Sequence, residues 1–280
     1  SIFQLEQWCK QQQINYQILD LKTPRTNQTK IPNNNFFITI IKNDANQGFG
    51  AGNNVALNYL FENSRNEYVW LLNPDTEVEE TVMQDLVTIS NKKEKTIVGN
   101  LIHYYNNRDD IMYFGGFKVK KYVHGVVDIK VYKNKKEIDA IAGTSMFTPL
   151  STFRDLGVFP EEYFMYWEET DFCTNAKRQG YIFEVNTKSK IFDHVGSTSN
   201  SNFLREYLYL LNGLRYYKKY YPYRLPFIIS STIAKYIKVL LFEDKIKKKA
   251  LLFAHIDFFK ILLGKKVNIK ARINSQHKSV

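Results

Sequence analysis

The sequence predicts an α/β fold, a mostly parallel central sheet flanked by helices, followed by a basic helical tail. Three observations predict it. Short apolar, β-branched runs at NFFITIIK (35–42), EYVWLL (67–72) and TIVGNLI (96–102) have the length and composition of buried strands. Helical segments at AGNNVALNYLFEN (51–63) and from Glu79 to Ser90 lie between them, the alternation that goes with parallel pairing. Charge then changes abruptly: residues 1–202 hold 22 Lys+Arg against 24 Asp+Glu, and residues 203–280 hold 17 against 4, a net −2 followed by a net +13. The chain therefore divides into a body, 1–202, and a basic, aromatic tail, 203–280.

The elements follow in order. Residues 2–14 read as a helix with Ile2, Leu5 and Cys9 near one face, and 15–19 as a short strand. KTPRTNQTKIPNNN (22–35) is a polar loop rich in Thr, Asn and Pro. After the strand at 35–42 comes a loop dense in Asn and Gly, NDANQGFGAGNN (43–54). The strand at 67–72 stops at Asn73-Pro74-Asp75, and the helix from Glu79 has an acidic first turn, as the macrodipole favours. Residues 103–142 are strand-like pieces with Gly-Gly and Lys-Asn turns. Mixed structure returns over 152–185, with a helix near 169–179 ended by Gly180 and a strand at 181–185. From 203 onward the pattern is helical.

Composition excludes several classes. At 44% apolar and 24% charged the chain is neither disordered nor a fibrous repeat. Two cysteines, Cys9 and Cys173, cannot build a disulfide scaffold or a thiolate zinc site, and they fit a reducing compartment. Residues 1–20 include Glu6 and Asp20 and do not read as a secretory signal. The most apolar stretch, 225–242, is interrupted by Lys235 and Lys238, so no clean membrane span is expected.

Four segments could carry chemistry. In LLNPDTEV (71–78) a buried strand runs into Asn73-Pro74-Asp75, and ligands of open α/β sheets bind beyond such strand ends. Pro74 stiffens the turn that aims Asp75; a plain helix-capping turn would read the same way alone. In NQGFGAGNN (46–54) the glycines permit close backbone approach and the next helix start favours anions. A dinucleotide fingerprint fails, because Asn53 stands where its last Gly belongs. In EEYFMYWEETDFC (161–173), Glu168 and Glu169 lie among aromatics, where lost hydration raises a carboxyl pKa towards that of a general base. Glu161 and Glu162 read as helix-start decoration. In KIFDHVGSTS (190–199) a β-branched run ends in Asp193-His194, an oxygen and nitrogen pair suited to Mn2+ or Mg2+.

Taken together and in this order, the segments resemble glycosyltransferase family 2, in its rhamnosyltransferase-like branch with the GT-A fold. The resemblance covers about residues 36–215 and rests on Asn46 to Asn54, Leu72 to Val78, Ala142-Gly143-Thr144-Ser145, Phe164 to Cys173, and His194-Val195-Gly196-Ser197. It implies that Asp75 and His194 hold a divalent metal, Mn2+ or Mg2+, on the donor diphosphate, with Asn73 where a first Asp often stands. It implies that Glu169 is the catalytic base, in a Glu168-Glu169 pair where the family usually has Glu-Asp. Asn46, Gly48, Phe49, Asn54, Asn73 and Asp75 would contact the donor, and Gly143, Thr144 and Ser145 the acceptor. Ala56 departs from a common Gly. The family's first strand and its D-N-x-S-x-D nucleobase segment are expected ahead of Ser1, so the chain is expected to lack about 35 residues of the family layout.

The resemblance implies an inverting transfer from a nucleoside-diphosphate sugar to a glycan or lipid-linked acceptor. Tyr and Phe interleave with Lys and Arg at 204–227 and 245–266, the makeup of an interfacial membrane segment or of helices packed on the body with a solvated basic face. A peripheral position on the cytoplasmic membrane face is expected. No nucleic-acid-binding signature is present, so nucleic acid is not an expected partner. The competing readings are a catalytically incomplete scaffold and a nucleic-acid or membrane-surface binding protein.

Overall fold

The computed structural model describes residues 2–20, 37–63, 67–131, 138–194, 202–242, 245–269 and 272. The polar loop expected at 22–35 and Val195-Gly196-Ser197 lie outside them. Helix α1 (Ile2–Gln11) leads to β1 (Asn15–Asp20), which pairs in parallel with β2 (Phe37–Lys42). Helix α2 (Phe49–Asn63) and β3 (Tyr68–Leu72) stand where the sequence places them. A short β4 (Thr76–Val78) then precedes α3 (Val82–Ser90), so that helix starts later than expected. The cause is pairing: the Glu79 carboxylate accepts the Lys190 N–H at 2.7 Å and the Glu79 N–H donates to the Lys190 carbonyl, which commits Glu79 to a strand edge.

The chain continues through β5 (Thr96–Tyr104), β6 (Ile111–Phe114), β7 (Gly116–Val119), β8 (Val126–Asp128), β9 (Ala140–Ile141), β10 (Ser145–Pro149), α4 (Leu150–Leu156), α5 (Glu168–Arg178) and β11 (Ile182–Asp193). The main sheet has the order β3-β10-β5-β11-β4, with β6 added on β5. Strand β11 runs parallel to β5, while β10 is antiparallel to both β3 and β5. Among the described residues β3, β5 and β11 share one direction, but four of the five pairings in this sheet are antiparallel and β2 pairs only with β1 in a sheet of its own, so the expected mostly parallel sheet is corrected to a mixed one in which β10 is wedged between β3 and β5. Its sequence, SMFTP, is too short and mixed to show a strand period.

Both faces of the sheet are covered, which is why its strands read as continuous apolar runs. Along β5, Ile97 faces Leu57, Phe153, Phe159 and Phe172 under α2, α4 and α5. Its neighbour Val98 faces the other way, to Val82 and Leu86 of α3.

The tail forms α6 (Asn202–Tyr220), a 3-10 turn (Pro222–Arg224), α7 (Leu225–Phe242) and α8 (Lys245–Leu262). Charge changes at residue 202, but packing does not: Tyr163 and Trp167 share a buried cluster with Tyr207, Leu211, Leu214, Tyr216 and Tyr217 of α6. The run Pro222–Phe242 is long and apolar enough to cross a membrane by length and composition, which corrects the expectation that two lysines disqualify it. Here it lies against α6 and α8 through buried Ile228, Thr232 and Val239, and Lys235 reaches Glu206 of α6 at 3.5 Å.

Each large side chain buried by α6 contributes about 1.5–3 kcal/mol. A chain ended at residue 202 is therefore expected to lose cooperative thermal unfolding and to bind the dye ANS, with Tyr163 and Trp167 uncovered. A sharp transition without dye uptake would show that the body folds without α6.

Candidate active site

Four loops converge on a cavity of about 510 Å3, inside the roughly 300–1,000 Å3 range of small-ligand sites. Asn46, Gly48 and Phe49 come from the loop before α2, and Asn73, Pro74 and Asp75 from the turn after β3. Gly143 and Thr144 come from the loop before β10, and Glu168 and Glu169 from the first turn of α5.

The loops are locked to one another. Gly48 has φ +96°, and a Cβ there would stand 1.8 Å from the Phe164 carbonyl oxygen, so only glycine fits. The same carbonyl accepts the Phe49 N–H at 2.9 Å. The Phe49 ring presses on Gly143, where a Cβ would stand 2.8 Å from it. The Asn73 N–H donates to the Thr144 carbonyl at 3.0 Å, which ties the Asn-Pro-Asp turn to the fourth loop.

The segment before the Glu pair is the most constrained. Phe164, Tyr166 and Trp167 all have positive φ, at +63°, +68° and +80°. Left-handed backbone at residues with a Cβ costs about 1–3 kcal/mol each and persists only where the surroundings enforce it. Asn212, wholly buried in α6, enforces it: its Nδ2 donates to the carbonyls of Tyr163 at 2.7 Å, Met165 at 2.8 Å and Tyr166 at 3.3 Å. Arg215 donates to the Glu162 carbonyl at 2.7 Å and the Trp167 indole to the Tyr209 carbonyl at 3.0 Å. Asp171 anchors the helix that follows, accepting from Tyr163, Lys219 and Tyr220 at 2.8–2.9 Å.

This frame buries Glu168 and the carboxyl end of half-buried Glu169. Glu168 is only 3% exposed, and among the described residues neither Glu168 Oε2 nor Glu169 Oε2 has a hydrogen-bond partner. Burial pushes both carboxyls well above their usual range, and the charge of Glu169 adds to the shift of Glu168. The start of α5 works the other way, since its N–H groups favour the anions. The balance is a pair able to take up a proton near neutral pH.

Asp75 and His194 are brought together through backbone, the His194 N–H donating to the Asp75 carbonyl at 3.1 Å. Asp193, beside them, has its carboxyl raised by burial and then by the charge of Asp75, crowding that a cation would relieve. The His194 ring, however, stacks on Tyr105 with centroids 3.4 Å apart, and its Nε2 stands 3.8 Å from Glu77. Among the described residues no group of three or more His, Cys, Asp or Glu could hold an ion by itself. The chemistry of the two side chains, a carboxylate and an imidazole, suits a site shared with ligand oxygens and not a closed protein cage, but what joins Asp75 to His194 here is backbone, with the imidazole committed to Tyr105.

Three expected contact residues stand outside the cavity lining. Asn54 is 1% exposed and commits its amide to the Phe159 backbone, donating at 2.8 Å and accepting at 2.9 Å, so it holds the fold where donor contact was expected. Ser145 is likewise buried, its Oγ accepting from Trp70 and Asn100, so the acceptor contact expected of it is corrected to a bond within the sheet. His194 is the third. Conversely, Tyr113, Phe117, Met165 and Tyr166 line the cavity and were not singled out from the sequence. The signal for the first two was the aromatic-Gly-Gly-aromatic run at 113–117, which joins β6 to β7.

A sheet whose strand ends, Asn-Pro-Asp turn and paired carboxyls meet at one cavity defines a GT-A glycosyltransferase fold, and solved structures of that fold match it. One is GalNAc-T7 with UDP, GalNAc and Mn2+, with a TM-score of 0.51 and 14% identity over 65% of this chain and 36% of that one. Another is TarS 1-349 of S. aureus with UDP-GlcNAc, with a TM-score of 0.51 and 14% identity over 80% of this chain and 64% of that one. No family model matches the chain. In sequence it is 26% identical over 189 residues to the low-salt glycan biosynthesis hexosyltransferase Agl10 of Haloferax volcanii, covering 64% of this chain and 51% of the relative. It is 28% identical over 151 residues to the rhamnosyltransferase WbbL of Escherichia coli K12, covering 48% and 55%. The chain thus spans about half the length of both curated relatives, and it is similar to glycosyltransferases of the kind its motifs resemble.

Asn212 supplies two N–H donors that no hydrophobic residue replaces. Asn212→Ala is expected to lower stability by about 1–3 kcal/mol, the cost of unsatisfied buried carbonyls. Asn212→Asp, which sets a carboxylate against the same oxygens, is expected to be worse than Ala. Urea denaturation ranks the two, and the reverse order would show that packing, not hydrogen bonding, sets the contribution of this residue.

Proposed function

We propose that the chain is an inverting glycosyltransferase that moves a sugar from a nucleoside-diphosphate donor to a hydroxyl of a glycan or lipid-linked acceptor in polysaccharide synthesis. The observation that carries this reading is the buried Glu168–Glu169 pair opening onto the same cavity as Asp75. The fold and the two relatives, both glycosyltransferases by name, support it.

In this reading the donor diphosphate lies towards Asn73 and Asp75, with Asn46, Gly48 and Phe49 beside it, and the acceptor enters along Gly143 and Thr144. Glu169 accepts the proton of the acceptor hydroxyl. The oxygen forms its bond to the anomeric carbon from one face as the bond to the diphosphate oxygen breaks on the other, and the electron pair leaves with the diphosphate. A divalent ion, Mn2+ or Mg2+, on Asp75 and His194 would neutralise charge on that leaving group.

The division of labour is testable. Glu169→Gln is expected to keep donor binding and lose transfer by about a hundredfold or more, the scale of a general base. Asp75→Ala is expected to lose donor binding itself. Wild-type transfer should fall as pH drops below neutral, because a raised carboxyl takes up its proton there. Stability has the opposite sign: a carboxyl raised only in the fold holds its proton more tightly when folded, so stability is greatest below the ordinary carboxyl range and declines as pH rises towards the raised value. Glu169→Gln should therefore melt higher than wild type at pH 8 and about level with it at pH 4. Transfer that survives in Glu169→Gln but not in Glu168→Gln would move the base by one residue.

We further propose that the protein works peripherally on the cytoplasmic membrane face. Support comes from Phe227, Ile237, Leu241 and Phe242 of α7 and Leu263 after α8, all more than half exposed, next to exposed Lys238, Lys245, Lys265 and Lys266. Each cation near an anionic leaflet contributes about 1 kcal/mol, weakened by salt, and the apolar side chains add anchoring that salt does not remove. The chain is expected to sediment with anionic but not neutral vesicles and to be released only in part by high salt. Equal sedimentation with both vesicle types would exclude the charge contribution.

A further inference from the structure

A second cavity, of about 350 Å3, shares Tyr166 with the first. Its other walls are Arg205, Glu206 and Tyr209 of α6 and Lys235 of α7. It adjoins the catalytic cavity at the segment that carries the Glu pair, since Tyr166 stands two residues before Glu168. Two cations from two helices converge there, and they differ from other cations of the tail. Lys219 and Arg272 close on the buried acids Asp171 and Asp257 at 2.9 Å each. Among the described residues the ion pairs of Arg205 and Lys235 are both with Glu206, at 3.9 and 3.5 Å, beyond the roughly 2.7–2.9 Å of a charge-assisted hydrogen bond. Both keep about half of their side-chain surface exposed, at 50% and 47%. A guanidinium fork and an ammonium carry many N–H donors, and these two long ion pairs commit few of them.

We propose that this cavity binds a phosphate group of the acceptor, holding it on Arg205 and Lys235 while the acceptor hydroxyl lies at Glu169. The proposal rests on reading the larger cavity as a sugar-transfer site. Two cations facing one carboxylate leave a net positive charge inside a basic segment, which suits an anion. Phosphate fits better than a carboxylate, because its several oxygens can engage both cations at once and the guanidinium fork matches it bidentately. The diphosphate of the donor does not compete for this place, since Asp75 does not line this cavity. Glu206 has a defined part: it holds the two cations together in the absence of ligand and is the charge an incoming phosphate must overcome.

Isothermal titration of the full chain with inorganic pyrophosphate and with citronellyl diphosphate tests this. R205Q and K235Q are expected to weaken binding of the prenyl ester about tenfold each, as loss of a charge-assisted contact does, while E206Q tightens it and D75A leaves it unchanged. Thermal melts of the variants check that the substitutions leave the fold intact. Tighter binding of the ester than of pyrophosphate, lost in R205Q and K235Q, identifies a lipid-linked phosphate. Equal binding of both probes with the same losses identifies a phosphate site indifferent to what carries it. Binding that R205Q and K235Q leave unchanged, that E206Q weakens, that is lost only in D75A, or that is absent from the full chain overturns the proposal. The readout needs no turnover, so a chain that binds the ester through Arg205 and Lys235 but transfers no sugar would refute the enzymatic reading and leave this site standing.

Discussion

The arrangement of the site depends on one side chain, the Asn212 amide held against three carbonyls of the segment before α5. A segment with three residues in left-handed backbone turns its carbonyls away from any regular ladder, and buried carbonyls without partners are expensive. Asn212 meets that demand from a different helix, so the loop's strain and the docking of α6 are a single feature. The same face of α6 continues the contact in both directions. Arg205, Tyr209, Asn212, Tyr216 and Lys219 recur at helical spacing, and the last four meet Trp167, the loop carbonyls, Thr174 and Asp171 in turn. One helix face therefore tracks the segment before α5 from the second cavity to the anchor of that helix.

That frame explains how two carboxyls can be buried side by side at a helix start. Alone, neighbouring glutamates at that position would turn to water, where the macrodipole and hydration favour their charge. Here the Glu168 stem lies beside Gly50 of α2, where an added Cβ would stand 3.6 Å from it and 3.1 Å from the Phe159 Cβ, and the loop fixes the backbone from which both side chains leave. The resulting rise in pKa costs stability at neutral pH, and the apolar cluster shared by α6 and the loop offsets that cost. A site of this kind cannot be carried by the sheet alone, because the sheet presents Asn73 to Asp75 at the cavity while α6 secures the segment that carries the Glu pair.

Much of this was legible in the sequence, and what was not has physical causes. Strands β2, β3 and β5 and helices α2 and α5 showed themselves by length, apolar content and turn residues, although β2, expected to be buried, is mostly half-buried and buries only Ile40. Strands β4 and β10 did not, since three and five residues of mixed polarity carry no period. The cavity residues that a backbone turn or a helix start presents, Asp75, Gly48 and the Glu pair, were readable from local chemistry. Asn54 and Ser145 stand outside the cavity lining, because the same amide or hydroxyl serves a ligand or a protein partner equally well and only the fold decides which. The part played by Asn212 was invisible, since it joins groups about 46 to 49 residues away.

The basic tail shows why net charge alone overstates an electrostatic surface. Of the excess beyond residue 202, Lys219, Lys260 and Arg272 are tied to buried acids and Arg215 to the loop, so they act inside the fold. Arg224 lies against the rings of Tyr122, Tyr221 and Tyr223. Among the described residues the set exposed towards a partner is smaller: Arg205 and Lys235 at the second cavity, and Lys238, Lys245, Lys265 and Lys266 near the ends of α7 and α8. The two groups differ in surroundings, one beside tyrosine rings and a carboxylate, the other beside exposed Leu241, Phe242 and Leu263. A small oxyanion needs converging cations, whereas an extended anionic surface needs cations spread along an apolar edge. The tail supplies both arrangements, converging cations at the second cavity and lysines beside exposed apolar side chains at the helix ends, and a reading of its net charge has to keep the two apart.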